Sequence, residues 1–292
     1  MHTKFHGTGV ALVTPFTASG AVDFDGLKKL IDHCINGGVE YLVTMGTTGE
    51  SAVLNEEEIQ AVIEHTIRLV NKRVPLIAGF GGNNTAALIA KISRFNFDGI
   101  DAILSVSPYY NKPTQAGILA HYKAVAAAAP RPIILYNVPG RTGSNINAET
   151  TIELSKVPNI IGIKEASGNF SQCMQIVKET APEFLKLSGD DNITLPLLSL
   201  GFHGVISVSA QGFPKPFSDM VRAGLKGDFE TARKLHYPLV DVTDMLFAEG
   251  NPGGIKYVLE KKNVCESHLR LPLVSISDAL KRRIDAELQK MN

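Results

Sequence analysis

Short β-rich segments alternate with helical patterns eight times along this chain, and few architectures accept that rhythm. Strands are expected at Gly9 to Phe16, Tyr41 to Met45, Leu76 to Phe80, Ala102 to Val106, Ile133 to Tyr136, Ile160 to Lys164, Leu185 to Ser188 and Val205 to Val208. Between them the apolar period becomes helical. After Leu54, Asn55 can cap a helix with Glu58 at its third position, Leu54 can staple onto Ile59, and Ile59, Val62, Ile63, Ile67 and Val70 form one stripe. Eight strand-helix units in residues 1–225 fit a (β/α)₈ barrel, typically about 250 residues long. A doubly wound open sheet would carry a glycine-rich turn after its first strand, and here Val13-Thr14-Pro15-Phe16 stands instead. Residues 226–292 continue as helical patterns, Phe229 to Phe247, Gly254 to Lys261 and Ser275 to Gln289, after one at Phe217 to Leu225. No low-complexity linker precedes them, so they are expected to pack on the barrel.

In such barrels chemistry sits at the carboxyl ends of the strands. Lys164 closes the apolar run Ile160-Ile161-Gly162-Ile163, where burial disfavours a charged ammonium and an amine can attack a carbonyl carbon. Gly46-Thr47-Thr48-Gly49-Glu50 follows strand two, a tight turn able to gather NH groups and hydroxyls around a carboxylate or oxyanion. Pro108-Tyr109-Tyr110-Asn111 follows strand four, Tyr136 ends strand five, and Arg141 lies just beyond. Taken singly, a strand-end lysine snorkels, a tyrosine packs with a wet hydroxyl, and a loop arginine is solvated. Their joint placement on one rim is what those readings do not explain. Strand seven ends in Ser188-Gly189-Asp190-Asp191, where two carboxylates would repel a phosphate, so a small unphosphorylated carboxylate is the expected substrate.

Other classes are disfavoured by composition. The 29 Lys plus Arg balance 29 Asp plus Glu, so no net field recruits nucleic acid or an anionic membrane. Neither a signal peptide nor a membrane-spanning run is visible, and a soluble, cytoplasmic protein is the expectation. Cys34, Cys173 and Cys265, each expected in a helix, form no CxxC pair and read as buried thiols. The sequons at Asn83 and Asn192 then read as chance matches. The eight histidines show no HxxxH or HxH spacing, so no metal is expected, and His203, preceding strand eight, belongs on the opposite face.

Four segments carry a resemblance that spans essentially the whole chain: Gly46-Thr47-Thr48-Gly49-Glu50-Ser51, Pro108-Tyr109-Tyr110, Tyr136-Asn137-Val138-Pro139-Gly140-Arg141-Thr142-Gly143, and Gly162-Ile163-Lys164-Glu165-Ala166. The chain resembles the dihydrodipicolinate synthase family of pyruvate-dependent class I aldolases. The resemblance implies that Lys164 forms an imine with pyruvate, without metal or organic cofactor, and that Tyr136 moves protons through Thr47 and through Tyr110 of a neighbouring subunit. It further implies that Thr48 holds the pyruvate carboxylate, that Ile206 offers main-chain polar groups, that Gly189 allows close approach, and that Arg141 takes the carboxylate of L-aspartate 4-semialdehyde. A guanidinium matches that group with two parallel hydrogen bonds. A homotetramer, built as a dimer of dimers, is implied as well. The first and last segments recur in sialic acid lyases and sugar-acid aldolases, and Arg141 separates the readings. A non-catalytic keto-acid-binding barrel would lack part of the set, and a pyridoxal phosphate enzyme is disfavoured by Asp190 and Asp191.

Lysine-sensitive members of the family bind L-lysine at the tight-dimer interface, where Ser51, Ala52, Asn83 and Tyr109 match lining positions. The sensitive pattern has a glutamate where this chain has Ala87 and a histidine where it has Ile59, with Glu56 nearby in sequence. Losing a charged hydrogen bond of about 1.5–3 kcal/mol weakens binding by roughly one to two orders of magnitude. Titrating L-lysine into a steady-state assay should therefore give no half-inhibition below about a millimolar, an affinity of roughly 4 kcal/mol. Tighter inhibition would mean that another group replaces the missing anchors.

Overall fold

A computed structural model describes residues 2–291. Eight parallel strands close into one barrel in sequence order: β1 (Gly7–Ala11), β2 (Tyr41–Thr44), β3 (Leu76–Gly79), β4 (Ala102–Val106), β5 (Ile133–Asn137), β6 (Ile160–Glu165), β7 (Leu185–Ser188) and β8 (Gly204–Ser207). β8 pairs back onto β1, with Gly9 opposite Ile206, so no edge is left exposed. The (β/α)₈ expectation holds, with shifts at strand ends. β1 stops at Ala11 rather than Phe16 because the next groups bond elsewhere: the Val13 NH donates to Gln211 Oε1 at 2.8 Å and the Thr14 hydroxyl to the Gly49 carbonyl at 2.6 Å. β6 runs one residue past Lys164, since Glu165 keeps register with Asn137 and Ser188.

Strand residues alternate between two cores. Ala11, Val43, Leu104, Ile134, Tyr136, Leu187 and Ile206 fill the barrel interior, whereas Val10, Leu42, Ile103, Leu135 and Ile163 pack against the helices. Phe5, fully buried and edge-on to Tyr41 at 5.6 Å, plugs the amino-terminal mouth. His203 lies at that end, its NH donating to the Lys186 carbonyl, its ring stacked on His6. Burial, with His6 and Lys186 adding to it, pulls its imidazole down to about 4. The capping box at Asn55 and Glu58 forms as expected, and Leu54 and Ile59 join one apolar cluster. All three cysteines are buried and free, although Cys265 lies beyond the helix Gly253–Lys261, not within one. No helix of the described residues is long and apolar enough to cross a membrane.

The helices Phe229–Phe247, Gly253–Lys261 and Asp278–Lys290 lie against the barrel, the last beginning after the cap Ser277 rather than at Ser275. A polar clamp ties the helix Gly253–Lys261 and the segment after it to the rim. Lys256 Nζ meets Glu50 Oε1 at 2.5 Å with both side chains inaccessible to solvent, and it also donates to the His268 carbonyl at 2.7 Å. The Phe16 ring has Lys256 Nζ 4.2 Å from its centroid and the Arg270 guanidinium at 4.5 Å. Arg270 grips Glu58 with two bonds of 2.6 and 2.8 Å. Burial pulls the Lys256 ammonium below its ordinary value against the attraction of Glu50.

Removing one partner of a buried pair strands the other, at a cost of about 3–5 kcal/mol. Lys256→Met should lower the denaturant midpoint accordingly, and Glu50→Gln added to it should recover part of the loss. An unchanged midpoint in the single variant would show that Glu50 finds water or another cation instead.

Candidate active site

A cavity of about 340 Å³ opens at the carboxyl ends of the strands, walled by Thr47, Thr48, Tyr136, Arg141, Lys164 and Gly189 among others. Tyr136 and Lys164 face one another because β5 and β6 place them in register and both fall on the inward phase of the alternation. Lys164 Nζ lies 4.3 Å from the Tyr136 ring centroid. Three lysines are buried among the described residues: Lys164 at 5% exposure, Lys186 at 3% and Lys256 at 0%. Lys256 has Glu50, and Lys186 donates to the Ala181 carbonyl at 3.0 Å. Lys164 has neither a carboxylate within ion-pair reach nor a hydrogen-bonding partner among the described residues, so its amine is open to the cavity.

Asymmetric support surrounds this lysine. On the outward phase of the same strands, Glu165 accepts from Asn137 Nδ2 at 3.0 Å, Gln172 Nε2 at 2.8 Å and the Ser167 NH at 2.6 Å, and Asn137 Oδ1 accepts the Ile146 NH at 2.9 Å. This network fixes the ends of β5 and β6 from behind. Opposite, Gly189 leaves room for the lysine stem. A Cβ there would lie 3.0 Å from Lys164 Cε and 2.6 Å from the Ala166 Cβ.

After β2 the chain makes a single 3₁₀ turn, Thr47–Gly49, closed by Glu50 in the left-handed region at φ 52°. A non-glycine residue is strained there, and the ion pair with Lys256 holds it. Thr48 is buried, its Oγ1 accepting from Asn251 Nδ2 at 2.9 Å, while Thr47 is exposed on the cavity lip. Arg141 sits in the short helix Pro139–Thr142, which Gly143 ends at φ 74°. Its guanidinium is exposed and unpaired among the described residues.

Two expected site residues stand apart. Ile206 is buried in the interior cluster beneath the cavity, and Val208 lines the wall in its place. Tyr110 is 88% exposed at φ 75°, outside the cavity of its own chain. Sequence reading missed Thr243, Asp244, Phe247 and Asn251, which join the wall from about 200 residues beyond the Gly46–Glu50 turn. Their signal is tertiary only. Asp191, foreseen as a repulsive charge, also braces the loop after β8, its Oδ2 accepting from the Val208 NH at 3.0 Å and the Ser209 NH at 2.8 Å. Burial, and secondarily Asp191, pushes the Asp190 carboxyl up. Among the described residues no group of three or more His, Cys, Asp or Glu side chains is placed to hold a metal ion.

A second cavity of about 600 Å³ shares Thr47, Tyr136 and Arg141 with the first and is lined by Ser51, Ala52, Ile59 and Tyr109. Asn83 Nδ2 donates to the Tyr109 carbonyl at 3.2 Å, whereas Ala87 is exposed on the helix Thr85–Arg94 and outside this lining.

A barrel whose rim presents an unpaired buried lysine beside a tyrosine is equipped for imine chemistry, and comparison with known proteins narrows the class. The family model described as "Dihydrodipicolinate synthetase family" matches residues 4–291. The 4-hydroxy-tetrahydrodipicolinate synthase of Flavobacterium psychrophilum is 50% identical over 282 residues, 96% of each chain. That of Cytophaga hutchinsonii is 47% identical over 285 residues, covering 98% of this chain and 96% of its own. Among solved structures, dihydrodipicolinate synthase from Aquifex aeolicus superposes with a TM-score of 0.95 at 40% identity, covering 99% of this chain and 98% of the other. The chain belongs to the dihydrodipicolinate synthetase family.

The contact between Gly189 and the lysine stem yields a direct test. Gly189→Ala should displace the Lys164 amine by a fraction of an ångström to an ångström and slow turnover by about 10²-fold, with the fold intact by circular dichroism. Wild-type turnover in that variant would mean the stem has room to spare.

Proposed function

We propose that this barrel is a lyase of the class I aldolase type that condenses pyruvate with L-aspartate 4-semialdehyde to give 4-hydroxy-tetrahydrodipicolinate, the first committed step towards diaminopimelate and lysine. The single observation that carries the proposal is Lys164, the buried lysine without a partner among the described residues, facing Tyr136 in the rim cavity.

In this reading the Lys164 amine adds to the ketone carbon of pyruvate, and loss of water leaves an imine. The imine draws electrons from the neighbouring methyl group, which loses a proton to give an enamine. Carbon–carbon bond formation follows when the enamine attacks the aldehyde of the second substrate. The amino group of that substrate then displaces Lys164 from the imine carbon, closing the ring and freeing the enzyme. Tyr136, close over the amine, moves protons in imine formation and cyclisation, relayed through Thr47 and through Tyr110 supplied by a neighbouring copy. The exposure of Tyr110 in the single chain supports that last assignment.

Thr48 and Gly189 border the keto acid, and Ile206 contributes through its main chain from the strand beneath. Arg141, unpaired at the mouth, takes the carboxylate of the semialdehyde. The working form is a homotetramer, a dimer of dimers in the cytoplasm, acting without organic cofactor or metal. A sugar-acid lyase would use the same lysine and tyrosine but gives no reason for a guanidinium in this turn.

Borohydride reduction in the presence of pyruvate should add one pyruvate-derived mass per chain, located at Lys164. An adduct on another lysine, or none, overturns the mechanism. Arg141→Ala should leave that adduct intact while raising the KM for the semialdehyde, since truncating a charged partner costs about 2–5 kcal/mol where the pair is desolvated and less at an exposed mouth. Unchanged semialdehyde kinetics would remove Arg141 from substrate recognition.

A further inference from the structure

We infer that Asn251 is a positioning residue for pyruvate recognition: by donating to the Thr48 hydroxyl oxygen it commits the Thr48 proton to the cavity, where a substrate carboxylate accepts it. The inference rests on the reading of this cavity as a keto-acid site. Asn251 Nδ2 lies 2.9 Å from Thr48 Oγ1. An amide NH₂ has protons and no available lone pair, so Thr48 can only accept in this contact. The Thr48 hydroxyl makes no other hydrogen bond among the described residues, and it is 2% exposed, so its single proton has the cavity as its outlet. An unpaired buried donor is costly, and a bound carboxylate relieves that cost where a group without acceptors cannot.

The placement of Asn251 is itself determined. It is 7% exposed and lies two residues before the helix Gly253–Lys261, whose Lys256 is locked onto Glu50. One segment of the carboxyl-terminal region thus holds the Gly46–Glu50 turn at two points, Asn251 at the hydroxyl and Lys256 at the turn's end. The other amide atom, Asn251 Oδ1, is buried without a partner, so among the described residues Thr48 is the one group to which this side chain is bonded. Glu50, paired with Lys256, lines the neighbouring cavity together with Asn251, and Lys164, Arg141, Asp190, Asp191 and Asp244 line the cavity that Thr48 faces.

Polarity is the property to test. Asn251→Asp puts an acceptor-only carboxylate where the donor was, so Thr48 turns its proton away from the cavity. Protonating that aspartic acid restores a donor. The readout is the pyruvate concentration that half-saturates cyanoborohydride trapping at Lys164, expressed as variant over wild type at each pH so that titration shared with the wild type cancels. Asn251→Ala should raise it roughly tenfold at every pH. Asn251→Asp should raise it more than tenfold at about pH 8 and recover to within about threefold at about pH 5, because burial lifts an aspartic acid into that range. Thr48→Val combined with Asn251→Ala should be no worse than Thr48→Val alone, since both act through one hydroxyl. A pH-independent ratio for the aspartate, wild-type half-saturation in the alanine variant, or additive losses in the double variant each overturn the inference. If the aspartate variant is unfolded by circular dichroism, the alanine variant and the Thr48 cycle decide alone. No adduct in the wild type would instead overturn the reading of Lys164.

Discussion

Closure of β1 onto β8 turns an eight-strand sheet into a cylinder with one inward and one outward phase per strand, and the site is built on that distinction. With the register of β5 and β6 set, Tyr136 and Lys164 have to face each other inside while Asn137 and Glu165 have to face the helices. The pair facing the cavity and its bracing network are therefore neighbouring residues on opposite sides of the same two strands. A shift of one residue in either strand would exchange them.

Buried charge is distributed unevenly across this frame. Most buried ionic groups are held by partners: Lys256 by Glu50, one oxygen of Asp191 by the NH groups of Val208 and Ser209, and Glu165 by amide donors and the Ser167 NH. These arrangements fix loops and the carboxyl-terminal helices. Among the described residues Lys164 is the buried lysine left without such a partner, and Arg141 at the mouth of the same cavity has none either. A group held by a partner is less free to bind a substrate, and the proposed roles of Lys164 and Arg141 rest on that difference.

Cavity size by itself does not single out this region. A cleft of about 830 Å³ on another part of the surface, lined by His33, Pro214, Lys215 and Lys262, holds none of the candidate residues. Chemistry distinguishes the smaller rim cavity: convergent hydroxyls, one open amine and one free guanidinium over the mouth of the barrel. The same wall continues into the 600 Å³ cavity beside Ser51 and Tyr109, so Thr47, Tyr136 and Arg141 border both spaces.

Much of this was legible in the chain. Short apolar, β-rich runs and the helical period between them determine the barrel, because each is a local pattern repeated eight times. The capping box at Asn55 and Glu58 is local in the same sense. Strand-end position placed Lys164, Tyr136, Thr47, Thr48, Gly189 and Arg141 on one rim, since a barrel maps every strand's carboxyl end to one face. The end of β1 was misplaced because Val13 and Thr14 bond to Gln211 and Gly49, partners distant in the chain. Ile206 was expected at the cavity and lies beneath it, because β8 ends at Ser207 and presents Val208 at the wall. Asn251 and Lys256 carry no local signature at all. A single asparagine or a lysine on a helix looks solvated in sequence, and only the docking of the carboxyl-terminal helices onto the rim brings one to Thr48 and the other to Glu50. Local pattern determines which segments become strands and which helices, whereas strands buried on both faces leave the inward phase to barrel closure. Which distant side chain completes a buried polar group depends on desolvation at contacts that exist only once the chain has closed.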